Sequence, residues 1–172
     1  MMPFRKKNTG KAVRNERKER IYNFLRSNKV GVLATVDADN DPDVAAIYYF
    51  VEPDFTINFM TKTGTKKSIN ILHNNHIKLL VYEAQTCTTA QITGIAEKIV
   101  STTETSEVFS NVLRSAWETN DDGVPPISRL IAGEYVAYKI KPKQVQMAVY
   151  VRPDYGNHSE LFETLEAYEL YP

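Results

Sequence analysis

Hydrophobic and β-branched residues in this chain of 172 residues fall into short runs that are separated by turn residues. Runs of this length, some continuous and some alternating with polar residues, are typical of strands. Six or seven strands are therefore predicted, at residues 30–36, 44–51, 55–61, 77–83, 88–100, 134–141 and 144–151. The clearest turns between them are residues 37–42 and Lys141-Pro142-Lys143. Gly94, inside the fifth run, predicts a β-bulge or a close backbone approach.

Other segments space their apolar residues at helical intervals. The first such helix is predicted over residues 13–27. Ser101 and Glu104 match a capping box, and the apolar stripe behind them ends at Trp117, which is expected in the core. A last helix is predicted over residues 157–170, with an asparagine at its N-cap.

The links between most of the predicted strands are short, which favours antiparallel pairing. A mainly β (α+β) fold follows, in which six to seven antiparallel strands form a closed or nearly closed barrel with flanking helices. The chain has no βαβαβ alternation, no Gly-x-Gly-x-x-Gly motif and no Walker loop, so Rossmann and P-loop folds are excluded.

Composition narrows the class of protein further. The formal net charge is zero and gives no overall bias toward nucleic acid or membrane, although eight of the first twenty residues are Lys or Arg and the last segment is acidic. Cys87 is the single cysteine, so an intramolecular disulfide is impossible. No apolar run is long enough for a signal peptide or a membrane span, and a cytoplasmic location is expected.

The stretch from Phe59 to Asn70 carries the clearest candidate for binding chemistry. It predicts a strand end, a turn at Gly64, and a helix that starts after Thr63 or Thr65. Helix starts leave N–H groups unpaired, and Lys66-Lys67 with nearby threonine hydroxyls add positive charge and donors. These features predict a phosphate site, although the two lysines also fit a solvated helix face.

Metal binding is not expected. Residues 37–42 are rich in Asp and Asn, but they lack the glycine and the final glutamate of an EF-hand loop. His73 and His76 are three residues apart, yet no third ligand lies near them in the sequence. A hairpin turn and an exposed helix end explain these residues.

Three stretches together resemble the FMN-binding split-barrel family, the pyridoxamine 5′-phosphate oxidase-like proteins. They are GVLATVD at 31–37 with PDVAA at 42–46, then MT at 60–61 with TKK at 65–67, and finally QITGIAE at 91–97. The resemblance covers residues 20–151 and implies a split β-barrel. No single stretch is specific, but the three occur in the family's order and spacing.

The resemblance also implies a cofactor and the residues that bind it. Lys66 and Lys67 match the basic pair that holds the FMN phosphate, and Thr61 matches a contact to the flavin or its ribityl chain. Residues 45–47 match the strand beside the isoalloxazine ring, and Thr89 stands where many members have a glutamine. The implied cofactor-binding set is Ala45, Ala46, Ile47, Met60, Thr61, Thr65, Lys66, Lys67 and Thr89.

Composition and pattern predict a basic flexible arm (1–12) and an acidic helical extension (154–172), and the resemblance implies an FMN-binding split-barrel domain (13–153) between them. The family is generally homodimeric, with the flavin in the groove between protomers. A homodimer with FMN at the interface is therefore expected, and FAD, a deazaflavin or haem are the alternative ligands for that groove. His158 is the histidine considered for haem.

The implied function is that of an FMN-dependent oxidoreductase acting on an unidentified small molecule. Ala45 and Phe50 replace an arginine and a lysine of true pyridoxamine phosphate oxidases, and the arginine–histidine motif near their C-terminus is absent. Oxidation of pyridoxamine phosphate is therefore not expected, and no catalytic residue is assigned. The alternatives are a non-catalytic flavin-binding or sensing protein and a barrel that binds single-stranded nucleic acid.

Overall fold

The computed structural model describes residues 9–118, 126–129, 131, 133–150 and 162–171. Within these residues the chain forms four α-helices, a short 3₁₀ turn at Pro126–Arg129 and seven strands. In chain order they are α1 (Thr9–Ser27), β1 (Val30–Val36), β2 (Pro42–Val51), β3 (Ile57–Lys62), α2 (Lys66–His73), β4 (His76–Glu83), β5 (Thr88–Lys98), α3 (Thr102–Trp117), β6 (Tyr135–Val149), β7 (Phe162–Glu166) and α4 (Ala167–Leu170).

The strands form one antiparallel sheet that closes on itself. The strand order is β3-β2-β1-β4-β5-β6-β7, and β3 also pairs with β6, so six strands make a barrel and β7 lies outside it. The first part of β6 pairs with β3 through residues 135–140, and residues 144–148 pair with β7. The predicted antiparallel barrel with flanking helices is confirmed.

Two apolar clusters hold these elements together. The larger fills the barrel interior, where alternate strand residues such as Tyr49 and Phe59 are fully buried, and Leu25 of α1 packs against it. The smaller lies between α3 and the outer faces of β2, β3 and β6, and it contains Met60 and Val112. Helix α3 therefore covers one side of the barrel from outside.

Helix α2 is fixed to one end of the barrel by buried hydrogen bonds. Asn70 Nδ2 donates to Thr35 Oγ1 at 3.0 Å, and Ser68 Oγ lies 3.1 Å from the Tyr138 hydroxyl. All four side chains are buried, where an unmade hydrogen bond would be costly. These bonds hold the first turn of α2 in a defined position beside the start of β2 and the end of β3.

The two strands predicted at 134–141 and 144–151 are in fact one strand, β6, and the predicted turn at Lys141-Pro142-Lys143 is wrong. Proline lacks the N–H that a regular sheet position needs. Here Pro142 lies opposite Gly94 on β5, where the register shifts in a bulge. A Cβ at Gly94 would lie 2.7 Å from the Lys141 carbonyl oxygen, so the predicted close approach at Gly94 is confirmed.

The helix predicted over residues 157–170 is also wrong for most of its described length. Residues 162–166 form β7, and only Ala167–Leu170 is helical, with Glu166 at its N-cap. Residues 157–161, including the predicted asparagine cap, lie outside the described part of the chain. The outer half of β6 offers unpaired edge groups, and pairing with them buries Leu165 completely.

The remaining elements lie where they were predicted, with smaller differences. Helix α1 begins at Thr9, so residues 9–12 of the predicted flexible arm are helical. Ser101 caps α3 and accepts a hydrogen bond from the Glu104 N–H, as predicted. Trp117 is 46 % exposed at the end of α3, so its predicted place in the core is wrong.

Candidate functional site

The start of α2 lies directly behind the end of β3. Gly64 makes the turn with a φ of +76°, and Thr65 occupies the N-cap position, as predicted. The Thr65 side chain makes no capping hydrogen bond to the helix. The first N–H groups of α2 therefore lack the side-chain acceptor that usually satisfies them, and they carry the positive end of the helix dipole.

A chain of polar contacts joins β3 to α2 beside these N–H groups. Lys67 Nζ donates to Thr61 Oγ1 at 3.3 Å, and the Thr61 and Thr65 hydroxyl oxygens are 3.1 Å apart. The Thr65 hydroxyl donates to the Lys62 carbonyl at 3.1 Å. Because each hydroxyl has one proton, Thr61 must be the donor to Thr65. The Lys67 ammonium keeps two further N–H groups for a ligand.

Lys66 points to a different partner from Lys67. Its ammonium lies 3.5 Å from Asp43 Oδ1 at the start of β2, with the two side chains 60 % and 24 % exposed. The pairing of Asp43 with Lys66 was not predicted, because Asp43 lies far from Lys66 in the chain and in a stretch that predicts an ordinary hairpin. The candidate site is formed by the start of β2, the end of β3 and the start of α2.

The other predicted residues of β2 and β3 alternate between two faces of the sheet. Ile47 is buried in the barrel interior, whereas Ala46 is exposed on the outside and Ala45 is partly buried. Met60 packs under α3, on the face opposite to Thr61. The side chains of Ala46 and Met60 therefore do not join the Thr61–Lys67 group.

Thr89 is distant from the Thr61–Lys67 group within one chain. Thr61 pairs with Val136 of β6, whereas Thr89 pairs with Ala148 near the other end of that strand. The intervening length of β6 is on the order of 40 Å at the usual rise per residue. Thr89 faces outward on β5, opposite Tyr82 of β4.

That outer face carries a group of exposed apolar side chains, which we call the β1–β4 patch. Its members lie on neighbouring strands: Val32 is paired with Leu80 on one side and Ala46 on the other, and Leu80 is paired with Gln91 of β5. They are Val30 (39 %), Val32 (41 %), Val44 (65 %), Leu80 (38 %) and Tyr82 (55 % exposed). Contiguous exposed apolar surface of this kind is typical of an interaction site.

Tyr82 is the one patch member with a titratable group. Its hydroxyl donates to Cys87 Sγ at 3.9 Å, and this bond raises the pKa of the tyrosine above its ordinary value. The phenol therefore stays neutral well above neutral pH, so it adds no charge to the patch.

Within the described residues, no three His, Cys, Asp or Glu side chains come together as a metal site would require. His73 and His76 lie at the end of α2 and the start of β4, and both are exposed. Among the helices of the described segments, none combines the length and apolar character needed to cross a membrane.

The sequence of the barrel is similar to that of a known protein family. A sequence model described as pyridoxamine 5′-phosphate oxidase matches residues 18–148. This range includes the whole barrel up to the last residue but one of β6, with both α2 and α3. No curated protein sequence matches the chain.

Solved structures share the fold at low sequence identity. A conserved hypothetical protein from Mycobacterium tuberculosis is 20 % identical, with a TM-score of 0.66, covering 83 % of this chain and 92 % of its own. A haem-binding protein from Mycobacterium smegmatis is 14 % identical, with a TM-score of 0.63, covering 90 % of this chain and 59 % of its own. An F420 reductase is 19 % identical, with a TM-score of 0.57, covering 72 % of this chain and 93 % of its own.

Proposed function

The chain belongs to the pyridoxamine 5′-phosphate oxidase family, and on that premise we propose that it binds FMN at the start of α2 as a flavin-dependent oxidoreductase. The observation that carries this proposal is the Thr61–Thr65–Lys67 group beside the uncapped first turn of α2. A phosphate needs positive charge and several converging N–H or O–H donors, and this group supplies both. The residues present therefore fit the phosphate end of a flavin nucleotide.

The members of this group contribute to holding the phosphate in different ways. The Lys67 ammonium supplies a charge-assisted hydrogen bond, and its contact with Thr61 already points it across the end of β3. The N–H groups of the first turn of α2 add donors along the helix axis. Buried bonds from Ser68 and Asn70 keep that turn in place, so little ordering is needed when the ligand binds.

The flavin would supply the redox chemistry as a carrier of hydride or single electrons, while the protein binds and orients it. In the described residues around the group, the side chains are hydroxyls, ammonium groups and the Asp43 carboxylate. None of them is required as an acid or base for hydride transfer to a flavin. The reacting small molecule is therefore left to be identified by screening.

We also propose that the active form is a homodimer in which the β1–β4 patch is covered by a second copy. The patch is apolar, spans neighbouring strands and includes the surroundings of Thr89. Thr89 cannot reach the Thr61–Lys67 group of its own chain across the length of β6. Pairing two copies would bury the patch and bring Thr89 of one copy towards the site of the other.

The test of the proposed function is the visible absorbance spectrum of the purified protein, before and after addition of FMN and desalting. The expected result is a retained flavin spectrum that is bleached by NADH, NADPH or another reductant and restored by a small-molecule acceptor. A protein that holds no flavin under any of these conditions would overturn the proposal.

A non-catalytic flavin-binding protein is the second candidate, because the described contacts of the group account for holding a phosphate and by themselves assign no reaction. Retained flavin that no electron donor or acceptor turns over would favour this function. Two of the structural neighbours are named as a haem-binding protein and an F420 reductase. The same spectrum distinguishes those cofactors from FMN, since haem and deazaflavin absorb at other wavelengths.

A further inference from the structure

The ion pair between Asp43 and Lys66 sets the charge of the proposed phosphate site. Among the described residues at this site, Lys66 and Lys67 supply the positive charge, and Asp43 is the carboxylate in contact with Lys66. Within the part of the chain that the structure describes, Lys67 contacts the Thr61 hydroxyl and no carboxylate, so its charge is not neutralised there. Lys66, by contrast, is already paired with a carboxylate 3.5 Å away.

Asp43 cannot easily withdraw from the site. It lies on β2, paired in register with Thr35 of β1, and the Thr35 hydroxyl accepts a buried hydrogen bond from Asn70 of α2. This network holds the start of β2 and the start of α2 in a fixed relation. Because its backbone is held there, Asp43 keeps its carboxylate beside Lys66 at the start of α2, next to the proposed phosphate site.

A carboxylate in this position works against a highly charged ligand. A phosphate monoester carries between about −1.5 and −2 charges at pH 7. To contact such a group, Lys66 must leave Asp43, and the exposed carboxylate then repels the phosphate. Both effects act on the phosphate end of the ligand and not on its aromatic end.

We propose that Asp43 is a specificity-determining residue of this site, which lowers its affinity for a phosphate monoester by holding Lys66 and repelling the ligand's charge. The inference rests on the proposed function, since it concerns the phosphate end of a bound flavin. Asp43 thereby makes the bound flavin exchangeable. The phosphate contributes less to the free energy of binding than it would beside two unpaired lysines.

The experiment measures the dissociation constants of FMN and of riboflavin, which lacks the phosphate, by quenching of flavin fluorescence. The variant Asp43→Asn keeps the shape of the side chain and removes its charge. We expect it to tighten FMN binding by about two- to fivefold, the upper part of the range for an exposed ion pair, and to leave riboflavin binding unchanged. Asp39→Asn, in the adjoining turn and without a contact to Lys66, makes the same charge change and should alter neither constant.

Combined variants separate the two effects of Asp43. In the Asp43→Asn background, Lys66→Gln should remove the part of the gain that comes from freeing Lys66, and the part that remains measures the repulsion between Asp43 and the phosphate. FMN binding that is unchanged or weaker in Asp43→Asn would overturn the inference while the proposed function stands, and so would an equal gain in riboflavin binding, since riboflavin has no phosphate. Asp43→Thr, neutral and suited to a strand, repeats the test should the asparagine variant fold poorly. If wild-type protein binds no flavin, the proposed function and this inference are both overturned.

Discussion

Lys66 and Lys67 are neighbours in the sequence but make different contacts in the structure. Lys67 is partly buried and donates to Thr61, whereas Lys66 is 60 % exposed and faces Asp43. At the scale of single residues, the proposed phosphate site therefore depends more on Lys67. Two adjacent lysines look equivalent in the sequence because nothing local distinguishes their partners.

The change Lys67→Ala should weaken FMN binding by about 1.5–3 kcal/mol, the usual value of a hydrogen bond to a charged group. Lys66→Ala should have a smaller effect, since Lys66 is shared with Asp43. The measurement is a fluorescence titration of the desalted protein with FMN, repeated with riboflavin, whose binding should not change.

Lys62→Ala is the matched control for this prediction. Lys62 ends β3 next to Thr61 but is exposed, and its carbonyl rather than its ammonium takes part in the polar contacts. Its removal should change FMN affinity by less than about 0.5 kcal/mol, as for an isolated surface charge. Equal losses for Lys62→Ala and Lys67→Ala would indicate a diffuse electrostatic effect and no specific phosphate contact.

At the scale of elements, the basic and acidic ends of the chain are explained by contact with each other. The acidic segment formed by β7 and α4 packs along the basic helix α1. Arg17 lies 2.5 Å from the Glu169 carboxylate, and Arg20 forms a more exposed pair with Glu163. The sequence shows the opposite charges of the two ends, but only the fold shows that they pair.

The two pairs should differ in their contribution to stability. Glu169 is only 8 % exposed and also accepts a hydrogen bond from the Glu166 N–H. Glu169→Gln should therefore lower the free energy of unfolding by about 2 kcal/mol, because it leaves the charge of Arg17 uncompensated in a largely buried contact. Glu163→Gln, at the exposed pair, should cost less than about 1 kcal/mol.

Urea unfolding of both variants, followed by circular dichroism with the slopes compared, measures this difference. The Glu163→Gln variant is the control, since it makes the same chemical change in the same segment. Similar losses of unfolding free energy in the two variants would show that the ion pairs between α1 and the C-terminal segment stabilise the fold only as exposed surface charges.

Helices and strands were predicted correctly where the local sequence determines them. They were predicted incorrectly where pairing within the sheet determines them. Ser101 caps α3 through its own side chain, and the bulge at Gly94 follows from the lack of a side chain. Residues 162–166 carry a helical pattern, but the unpaired edge of β6 makes them a strand. Likewise, Pro142 ends no strand, because the bulge opposite it removes the need for its N–H.

At the scale of the whole molecule, the β1–β4 patch is an exposed apolar surface that the contacts within a single chain do not explain. Leu80 sits within it, between Val32 and Gln91 on the adjacent strands. Leu80→Lys should convert a dimer to a monomer, raising the dimer dissociation constant at least about tenfold, because symmetry places the unpaired charge in the interface twice. FMN affinity should fall with it if the site is shared.

Sedimentation velocity at micromolar concentration measures this outcome. Val100→Lys is the matched control, since Val100 is 88 % exposed, lies after β5 outside the patch, and should tolerate the charge. A wild-type protein that sediments as a monomer, or a Leu80→Lys variant that still dimerises, would refute the role proposed for the patch.

The sequence by itself determined the class of fold and the kind of site. Alternating apolar residues set which positions pack inside the barrel, and Gly64 with the following threonine and lysines marked the start of α2. These features are local, since they depend on side-chain period, backbone freedom and capping. For the same reason, the stretches that resemble the family are recognisable from the order of residues alone.

Only the tertiary structure decided how those parts combine. It joined Asp43 to Lys66, separated Thr89 from Thr61 along β6, and turned Met60 away under α3. Each of these facts depends on strand register and on pairing between distant segments. A shift of one residue in register reverses the face of every side chain, and no local pattern records which partner a strand edge will find.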